Sequence, residues 1–326
     1  MFLGATMKIL VTGGCGYIGS HVVNKLLADK HEVVIYDNLS TGTYSESLHE
    51  AKLIFGDVAD IENVDLSGYD AIMHFAGSIS VYESTHNPVA YYLNNTANTM
   101  KVLRACDKHS ITKLIFSSTA AVYGNGSGSE PVDESAPVNP LSPYAASKLM
   151  CEKIIQDHAA ARARLGFKYV ILRYFNVAGV GAGNGPQKSS EHLIKAACEA
   201  ALGKRPYLRL YGTNYGTPDG TCIRDYIHVE DVASAHVDAL RFLKSGYNFT
   251  FNVGYGRGLS VREVIAAVKR VSGADFSVNL DLPRDGDAAQ VVANSDKIKK
   301  ILGWKPLHDN IDSIVSSSLE WERNHE

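Results

Sequence analysis

A tyrosine and a lysine four positions apart are the side chains best placed for proton-transfer chemistry. In Tyr144-x-x-x-Lys148, within a segment predicted to be helical, the two side chains share one face, one turn apart. Free tyrosine has a pKa of about 10 and is a poor base at neutral pH, but a neighbouring ammonium favours the phenolate. Thr119, at the end of a predicted strand, adds a hydroxyl that can orient a substrate oxygen. Taken singly, the pair is a common chance arrangement and Thr119 an ordinary strand-end hydroxyl; together they predict a catalytic site.

A glycine triplet predicts a dinucleotide site. Gly13-x-x-Gly16-x-x-Gly19 lies between a predicted strand and a predicted helix, where glycines let the backbone approach a pyrophosphate at the helix N-terminus. Asp37 follows Gly19 by 37 − 19 = 18 positions, near the roughly 20 expected of a ribose-binding carboxylate. That carboxylate repels a 2′-phosphate, and Asn38 rather than an arginine follows it. NAD is therefore favoured over NADP.

The elements that position these residues alternate along the first half of the chain. Apolar runs predict strands at residues 8–12, 32–36, 52–55, 71–74, 113–117 and 169–173. Helical patterns lie at residues 17–29, 88–107 and 143–164. Such alternation predicts an α/β fold with a doubly wound parallel sheet of the Rossmann type. Asp57 and Val58, directly after the third strand, are expected at the adenine edge of the cofactor.

The alternation loosens after Asn176. We expect loops at residues 179–185 and 207–221, a helix at residues 229–244, and another helix that begins in a capping box at Ser260 and Glu263. Residues 1–177 are predicted to form the NAD-binding Rossmann domain, rejoined by about residues 226–253. Residues 178–326 are predicted to form mainly a second, smaller α/β domain that binds substrate. The active site is expected in the cleft between the two domains.

The composition limits the classes of partner and ligand that the protein is expected to bind. The 326 residues carry a formal net charge of −3, so no basic excess points to nucleic acid or to a membrane surface. The five cysteines are dispersed, which disfavours a disulfide framework and a zinc site, and no metal is expected. Residues 1–6 do not resemble a signal peptide, and no apolar run reaches the roughly 20 residues that span a bilayer. A cytoplasmic location is predicted.

Several segments together resemble the extended short-chain dehydrogenase/reductases, and among them the UDP-glucose 4-epimerases. They are residues 11–21, 74–77, 91–95, 116–124, 142–148, 172–176 and 224–229. The resemblance implies a tightly held NAD that is recycled in each turnover. Tyr144 would take a proton from the C4 hydroxyl of the UDP-sugar while hydride leaves C4, and the 4-keto sugar would turn over and receive the hydride on its other face. The helices at residues 88–107 and 143–164 would pair in a homodimer.

The resemblance also assigns roles residue by residue. Those expected at the cofactor, besides the glycines, Asp37 and the catalytic pair, are Tyr17, Ile18, Asn38, Asp57, Val58, Phe75, Ala76, Gly77, Asn94, Ser117, Tyr174 and Phe175. Those expected at the UDP-sugar, besides Thr119 and Tyr144, are Asn176, His192, Leu193, Arg209, Tyr211, Arg224, Arg284, Asp287 and Val291. The arginines suit a diphosphate because the guanidinium is a planar, permanently charged fork.

The sequence departs from this pattern at three positions. Ile79 stands where some epimerases have a lysine near the nicotinamide, and His192 stands where some have an asparagine. Val291 stands where epimerases restricted to non-acetylated sugars have a tyrosine. The smaller side chain leads us to expect that UDP-N-acetylglucosamine and its galacto epimer are also accepted.

Related chemistries leave one realistic alternative. Dehydratases and decarboxylases of nucleotide sugars carry acidic residues where this sequence has Ala120 and Ala121, so elimination is disfavoured. A 4-epimerase acting on another nucleotide sugar, such as a UDP-uronic acid or a UDP-pentose, stays open. A non-enzymatic NAD sensor is disfavoured because Thr119, Tyr144 and Lys148 are all present.

Overall fold

The computed structural model describes residues 6–126, 128, 130–186, 191–284 and 287–325. Residues 1–5, on which most of the signal-peptide argument rests, lie outside this part of the chain. The strands are β1 Lys8–Thr12, β2 Glu32–Asp37, β3 Lys52–Phe55, β4 Ala71–His74, β5 Lys113–Thr119, β6 Lys168–Tyr174, β7 Asn176–Ala178, β8 Leu208–Tyr211, β9 Ile223–His228, β10 Phe249–Val253, β11 Gly258–Ser260, β12 Val278–Asp281 and β13 Gln290–Val291. The helices are α1 Tyr17–Ala28, α2 Val81–His86, α3 Pro88–Tyr91, α4 Asn98–His109, α5 Pro143–Ala161, α6 Leu193–Ala201, α7 Val229–Phe242, α8 Val261–Ser272, α9 Asp296–Leu302 and α10 Ile311–Asn324.

Seven parallel strands form the main sheet, in the order β10-β6-β5-β4-β1-β2-β3. Successive strands run outward from β1 in one direction through β2 and β3, and in the other direction from β4 onward. Because the winding reverses between β1 and β4, a crevice opens there at the carboxyl ends of the strands, where such folds bind ligands. The predicted doubly wound parallel sheet is confirmed.

Alternate residues of the central strands pack on opposite faces of this sheet. Ile9 and Val11 belong to a core shared with α1 and α7, whereas Leu10 belongs to a core shared with α4 and α5. Both faces are therefore covered by helices, which is why these strands read as continuous apolar runs in the sequence.

The helix that carries the candidate catalytic pair has a well-defined beginning. The Ser142 hydroxyl accepts a hydrogen bond of 3.2 Å from the Ala145 amide, and Pro143 occupies the first turn. Serine at this position satisfies an otherwise unpaired amide, and proline loses nothing where its missing N–H has no partner. The cap therefore fixes Tyr144 in the first turn of α5 and Lys148 one turn later.

The helix predicted at residues 88–107 is confirmed, since helical turns run without a break from Pro88 to His109. A π-helical turn, Tyr92–Ala97, separates α3 from α4. Such a turn changes the register of a helix without any proline or glycine to mark it. Here it brings the buried side chain of Asn95 to the loop after β4 and to α5, where its Nδ2 donates to the Ser78 carbonyl at 3.0 Å and to the Ser147 hydroxyl at 2.9 Å.

The second half of the chain contributes short strands that the sequence does not reveal. β9 pairs with β7, β11 and β13, and β8 pairs with β12. The loop predicted at residues 207–221 therefore begins with a strand, which forms by pairing with β12 across the fold. The capping box at Ser260 and Glu263 is present at the start of α8, as predicted.

The chain crosses between the two parts of the fold more than once. The predicted boundary at residues 177 and 178 falls within β7, which pairs with β9 and not with the main sheet. Farther along, α7 packs against α1, and β10 lies beside β6 at the edge of the main sheet. Within the described residues, no helix combines the length and the apolar character needed to cross a membrane.

Candidate active site

The glycine-rich turn after β1 has no room for a side chain at Gly13 or at Gly19. Gly13 has a φ of +70°, and a Cβ added there would lie 2.6 Å from the Ala76 amide nitrogen. A Cβ at Gly19 would lie 2.3 Å from the Gly13 carbonyl oxygen. Gly16 is the N-cap of α1, which continues with Tyr17 and Ile18. The bare backbone at a helix N-terminus is a cradle that fits the pyrophosphate of a dinucleotide.

Two carboxylates and an amide lie together at the ends of β2 and β3. The buried Asp37 carboxylate accepts hydrogen bonds from the amides of Cys15, at 2.9 Å, and Leu39, at 2.8 Å. Asn38 donates to the Asp57 carboxylate at 2.8 Å. The structure thus brings Asp37, Asn38 and Asp57 beside the glycine-rich turn. The Val58 side chain is buried in the core that the sheet shares with α4 and α5.

Phe75, Ala76 and Gly77 follow β4 across the crevice from the glycine-rich turn. The Ala76 backbone packs against Gly13, and the centroid of the Phe75 ring lies 4.8 Å from that of the His236 ring. A Cβ added at Gly77 would lie 2.9 Å from the Asn95 side-chain oxygen and 3.6 Å from Lys148 Nζ.

The neighbouring asparagines at residues 94 and 95 have different surroundings. Asn94 is exposed and donates to the Ser78 hydroxyl at 2.9 Å. Asn95, which sequence reasoning missed, is the buried one that reaches Ser78 and Ser147. A π turn leaves no trace in hydrophobic periodicity, so the sequence offered no signal to choose Asn95 over Asn94.

Thr119, Tyr144 and Lys148 converge at the carboxyl end of β5. Lys148 is buried, its Nζ donates to the Ser117 carbonyl at 2.9 Å, and it lies 4.9 Å from the centre of the Phe116 ring. Burial lowers the pKa of Lys148 and raises the pKa of Tyr144, whereas the hydrogen bond with Thr119 lowers the Tyr144 pKa. Thr119 also accepts a hydrogen bond from the Ala121 amide at 3.1 Å.

A buried ion pair between Glu152 and Arg173 lies next to the Thr119, Tyr144 and Lys148 cluster. Glu152, one turn after Lys148 on α5, accepts a hydrogen bond of 2.6 Å from Arg173 on β6 and another from the Ser118 hydroxyl. Arg173 also donates to the Tyr123 hydroxyl at 2.8 Å. Sequence reasoning missed this network; an arginine within an apolar strand, and a glutamate four positions after Lys148, are the signals that were available.

Tyr174 and Phe175 lie at the end of β6. The Tyr174 hydroxyl is hydrogen-bonded to buried His236 and to Ser117, and burial raises its pKa. Phe175 packs in a small cluster that also contains Val291. The structure therefore brings Phe175, assigned to the cofactor, and Val291, assigned to the substrate, into one apolar cluster.

A second group of predicted residues lines a cleft beyond β7. Asn176, His192 and Leu193 lie in its wall together with Tyr226, a residue missed by sequence reasoning although it follows Arg224 by two positions. Burial, with the nearby charges of Lys195 and Arg284, lowers the pKa of His192.

The predicted arginines occupy different settings. Arg284 lies 3.7 Å from the centre of the Tyr211 ring, a cation–π stack, and Arg224 lies 3.7 Å from the Asp287 carboxylate. Arg209 is 55 % exposed at the side chain and its nearest carboxylate, that of Asp281, is 4.0 Å away. Within the described ranges, no group of three or more His, Cys, Asp or Glu side chains is arranged to hold a metal ion.

The doubly wound sheet, the glycine cradle and the Tyr-Lys pair at the end of β5 define an extended short-chain dehydrogenase/reductase. Comparison with known proteins agrees. The NAD dependent epimerase/dehydratase family matches residues 9–254, and the chain belongs to that family. The prediction of NAD as the cofactor is thereby confirmed.

Full-length relatives confirm the resemblance seen in the motifs. A UDP-glucose 4-epimerase from Azospirillum brasilense is 49% identical over 99% of this chain and 94% of its own length. The UDP-Glc/GlcNAc 4-epimerase of Campylobacter jejuni is 43% identical and superposes with a TM-score of 0.85, covering 98% of this chain and 100% of the other. The Bifidobacterium longum UDP-glucose 4-epimerase, solved with NAD+ and UDP, is 35% identical with a TM-score of 0.92 over 97% and 98% of the two chains.

Proposed function

We propose that this chain is a 4-epimerase that interconverts UDP-glucose and UDP-galactose by inverting C4 through a transient 4-keto sugar. The observation that carries the proposal is the convergence of Thr119, Tyr144 and Lys148 beside the glycine cradle. Ala120 and Ala121, which follow Thr119, bring no acid for an elimination reaction. A reversible proton transfer at a sugar hydroxyl is the chemistry that these side chains can perform.

In this mechanism the protein moves one proton and holds the sugar. The Thr119 hydroxyl orients the C4 oxygen, and Tyr144 takes its proton. Lys148, fixed by the Ser117 carbonyl, places a cation near the phenol and favours the phenolate. When bound, NAD supplies an acceptor and then a donor of hydride for C4. After the keto sugar has rotated to present its other face, Tyr144 returns the proton to the C4 oxygen.

We further propose that the uridine diphosphate lies along the cleft beyond β7. The stacked pair of Arg284 and Tyr211 offers a flat surface to the uracil and a cation to the diphosphate. Arg224 and Asp287, whose charged groups lie 3.7 Å apart, can bind phosphate and ribose oxygens respectively. Asn176, His192 and Leu193 complete the cleft wall, and Arg209, hydrogen-bonded to Tyr211, adds a second cation beside the proposed uracil surface.

The decisive experiment is to incubate purified protein with UDP-galactose, with no cofactor added, and to follow C4 configuration by proton NMR. Formation of UDP-glucose is expected, since NAD would come bound to the protein. Tyr144→Phe is expected to abolish turnover while NAD stays bound. Absence of turnover with NAD supplied would overturn the proposal and direct the search to uronic or pentose UDP-sugars; a rice relative 39% identical is described as a probable UDP-arabinose 4-epimerase.

A second activity, on the N-acetylated UDP-sugars, is favoured by Val291. This residue is 8% exposed and packs beside Phe175, so a bulkier side chain would push toward the site. We expect Val291→Tyr to lower turnover of UDP-N-acetylgalactosamine at least about tenfold, because the aromatic ring would take the space of an acetamido group. UDP-galactose turnover by the same variant is the internal control. Failure of the unmodified enzyme to act on the acetylated sugar would exclude this activity.

We also propose a homodimer formed through α4, α5 and the helical turns before α4. Val89, Leu93, Met100 and Met150 on these elements are between 44% and 65% exposed, which leaves an apolar surface for a second copy. Sedimentation should give twice the 35.4 kDa of one chain. Leu93→Glu is expected to yield monomers, whereas Leu307→Glu, at a residue 83% exposed in the loop between α9 and α10, should not.

Compartment and domain division complete the proposal. The five cysteines are all free and buried, which suits a reducing compartment, and we place the protein in the cytoplasm. We retain the division into a cofactor domain of residues 1–177, rejoined by about 226–253, and a smaller substrate domain.

A further inference from the structure

The segment of residues 179–186 leaves the substrate side of the molecule and lies against the cofactor side. It connects β7 to the approach to α6, two elements that line the candidate nucleotide cleft. Along its course, His21 accepts a hydrogen bond of 2.9 Å from the Gly181 amide, and Asn24 donates to the Ala182 carbonyl at 2.8 Å. Both of these partners belong to α1, the helix whose N-terminus forms the glycine cradle.

Asn184 is the residue of this segment that reaches the cradle itself. Its side-chain amide donates to the Cys15 carbonyl at 2.8 Å and to the Thr43 carbonyl at 2.7 Å. Its backbone amide donates to the Ser20 hydroxyl at 2.8 Å. Asn184 is 9% exposed, so these bonds form away from water, where losing one leaves a polar group unsatisfied.

The two carbonyls belong to the two loops expected to hold the dinucleotide. Cys15 lies within the glycine-rich turn, and Thr43 lies in the loop that follows Asp37. The Cys15 carbonyl also accepts a hydrogen bond of 3.1 Å from the Thr43 amide, and the Cys15 amide donates to Asp37 at 2.9 Å. One side-chain amide therefore joins the phosphate-binding loop to the ribose-binding loop.

The segment cannot readily shift to release this contact. A Cβ at Gly183 would lie 2.6 Å from the His21 amide nitrogen, and one at Gly185 would lie 2.1 Å from the Trp321 indole nitrogen. The Val180 amide donates to the Ser317 hydroxyl on α10 at 3.1 Å. The backbone of the segment is thus held between α1 and α10, with Asn184 directed at the two loops.

We propose that Asn184 is a positioning residue for the cofactor, which holds the glycine-rich turn and the loop after Asp37 in the arrangement that retains NAD. Asn184 need not touch NAD to have this effect. Its consequence is that a segment from the substrate side of the fold controls how firmly the cofactor is held. The inference concerns cofactor affinity alone and does not depend on which sugar is the substrate.

The test compares Asn184→Ala with Asn24→Ala, which removes another asparagine bond to the same segment without freeing the Cys15 and Thr43 carbonyls. Protein is freed of NAD, the Kd for NAD is measured by calorimetry, and the Tm of each cofactor-free protein is recorded. Asn184→Ala should raise the Kd at least about tenfold, the effect of losing about one buried hydrogen bond. Asn24→Ala should change it less than about twofold.

Asn184→Asp is the second variant, because it keeps the size of the side chain and replaces the donor by an acceptor facing two carbonyls. It too should raise the Kd at least about tenfold. A Kd within about twofold of the unmodified protein in either folded Asn184 variant would overturn the proposal, as would an equal rise in Asn24→Ala. A lower Tm of the cofactor-free protein with an unchanged Kd would show that Asn184 serves stability only.

Discussion

Thr119 allows a direct test of how the site sets the basicity of Tyr144. Burial raises the pKa of the phenol, and the hydrogen bond with Thr119 opposes that rise. Thr119→Val keeps the shape of the side chain and removes the hydroxyl. A hydrogen bond to a charged group is worth about 1 kcal/mol more than one to a neutral group, and one pKa unit corresponds to about 1.4 kcal/mol. The substitution should therefore raise the pKa of Tyr144 by about one unit.

The sign of the effect on activity follows from the role of the phenolate as base. Activity is lost as pH falls through the pKa, so a raised pKa moves the acid limb of the kcat/KM profile to higher pH by about one unit. The profile is measured with UDP-galactose. Thr119→Ser retains the hydroxyl and should follow the unmodified enzyme.

Substitution of Thr119 by valine also removes an acceptor for the Ala121 amide. Melting curves of the two variants show whether this loss alters the fold. If the acid limb of a folded Thr119→Val enzyme stayed at its original pH, or moved to lower pH, the assignment of Thr119 as the group that lowers the Tyr144 pKa would be wrong.

Two further predictions concern stability. Glu152→Gln should lower the free energy of unfolding, measured by urea titration, by about 3 to 5 kcal/mol, because it leaves buried Arg173 without its counterion. The control Lys153→Gln breaks an exposed ion pair on the same helix and should cost less than about 1 kcal/mol. Equal losses in the two variants would contradict this prediction. Burial lowers the pKa of His74 to about 3 and the pKa values of His228 and His236 to about 4. These folded pKa values lie below the unfolded value of about 6.5, so the free energy of unfolding decreases as pH falls below about 6.5. The loss is about 2 kcal/mol per histidine at pH 5. An unchanged urea midpoint between pH 7 and pH 5 would contradict this prediction.

The strands of the first half could be predicted almost to the residue because each is a short apolar run, and the central strands β1 and β4 are buried on both faces. Strands β1, β3 and β4 begin and end where those runs do. The predicted fifth strand ended two residues early, since Ser118 and Thr119 are polar although they continue β5. The strands of the second half have no comparable pattern: β7 and β13 are three and two residues long and exist only through their pairing with β9.

The candidate site likewise contains residues that could be predicted from the sequence and residues that could not. Glycine spacing, an acid after β2 and a Tyr-Lys pair are local patterns, so the sequence alone could locate the cradle and the reactive groups. Residues that hold these groups in place act across the fold and leave no local pattern. Asn184 bonds to Cys15 over 169 positions, and Asn95 faces inward only because of a π turn.

The late position of β10 in the chain has a consequence for synthesis of the protein on the ribosome. β6 ends at Tyr174, but its partner begins only at Phe249, 75 positions later. At about 5 to 20 residues per second, the ribosome needs roughly 4 to 15 s to deliver that partner. During this interval the six earlier strands can assemble while one flank of β6 keeps unpaired backbone groups, the kind of edge that recruits other chains. A nascent chain stalled between these two strands therefore exposes a strand edge that β10 covers in the complete fold.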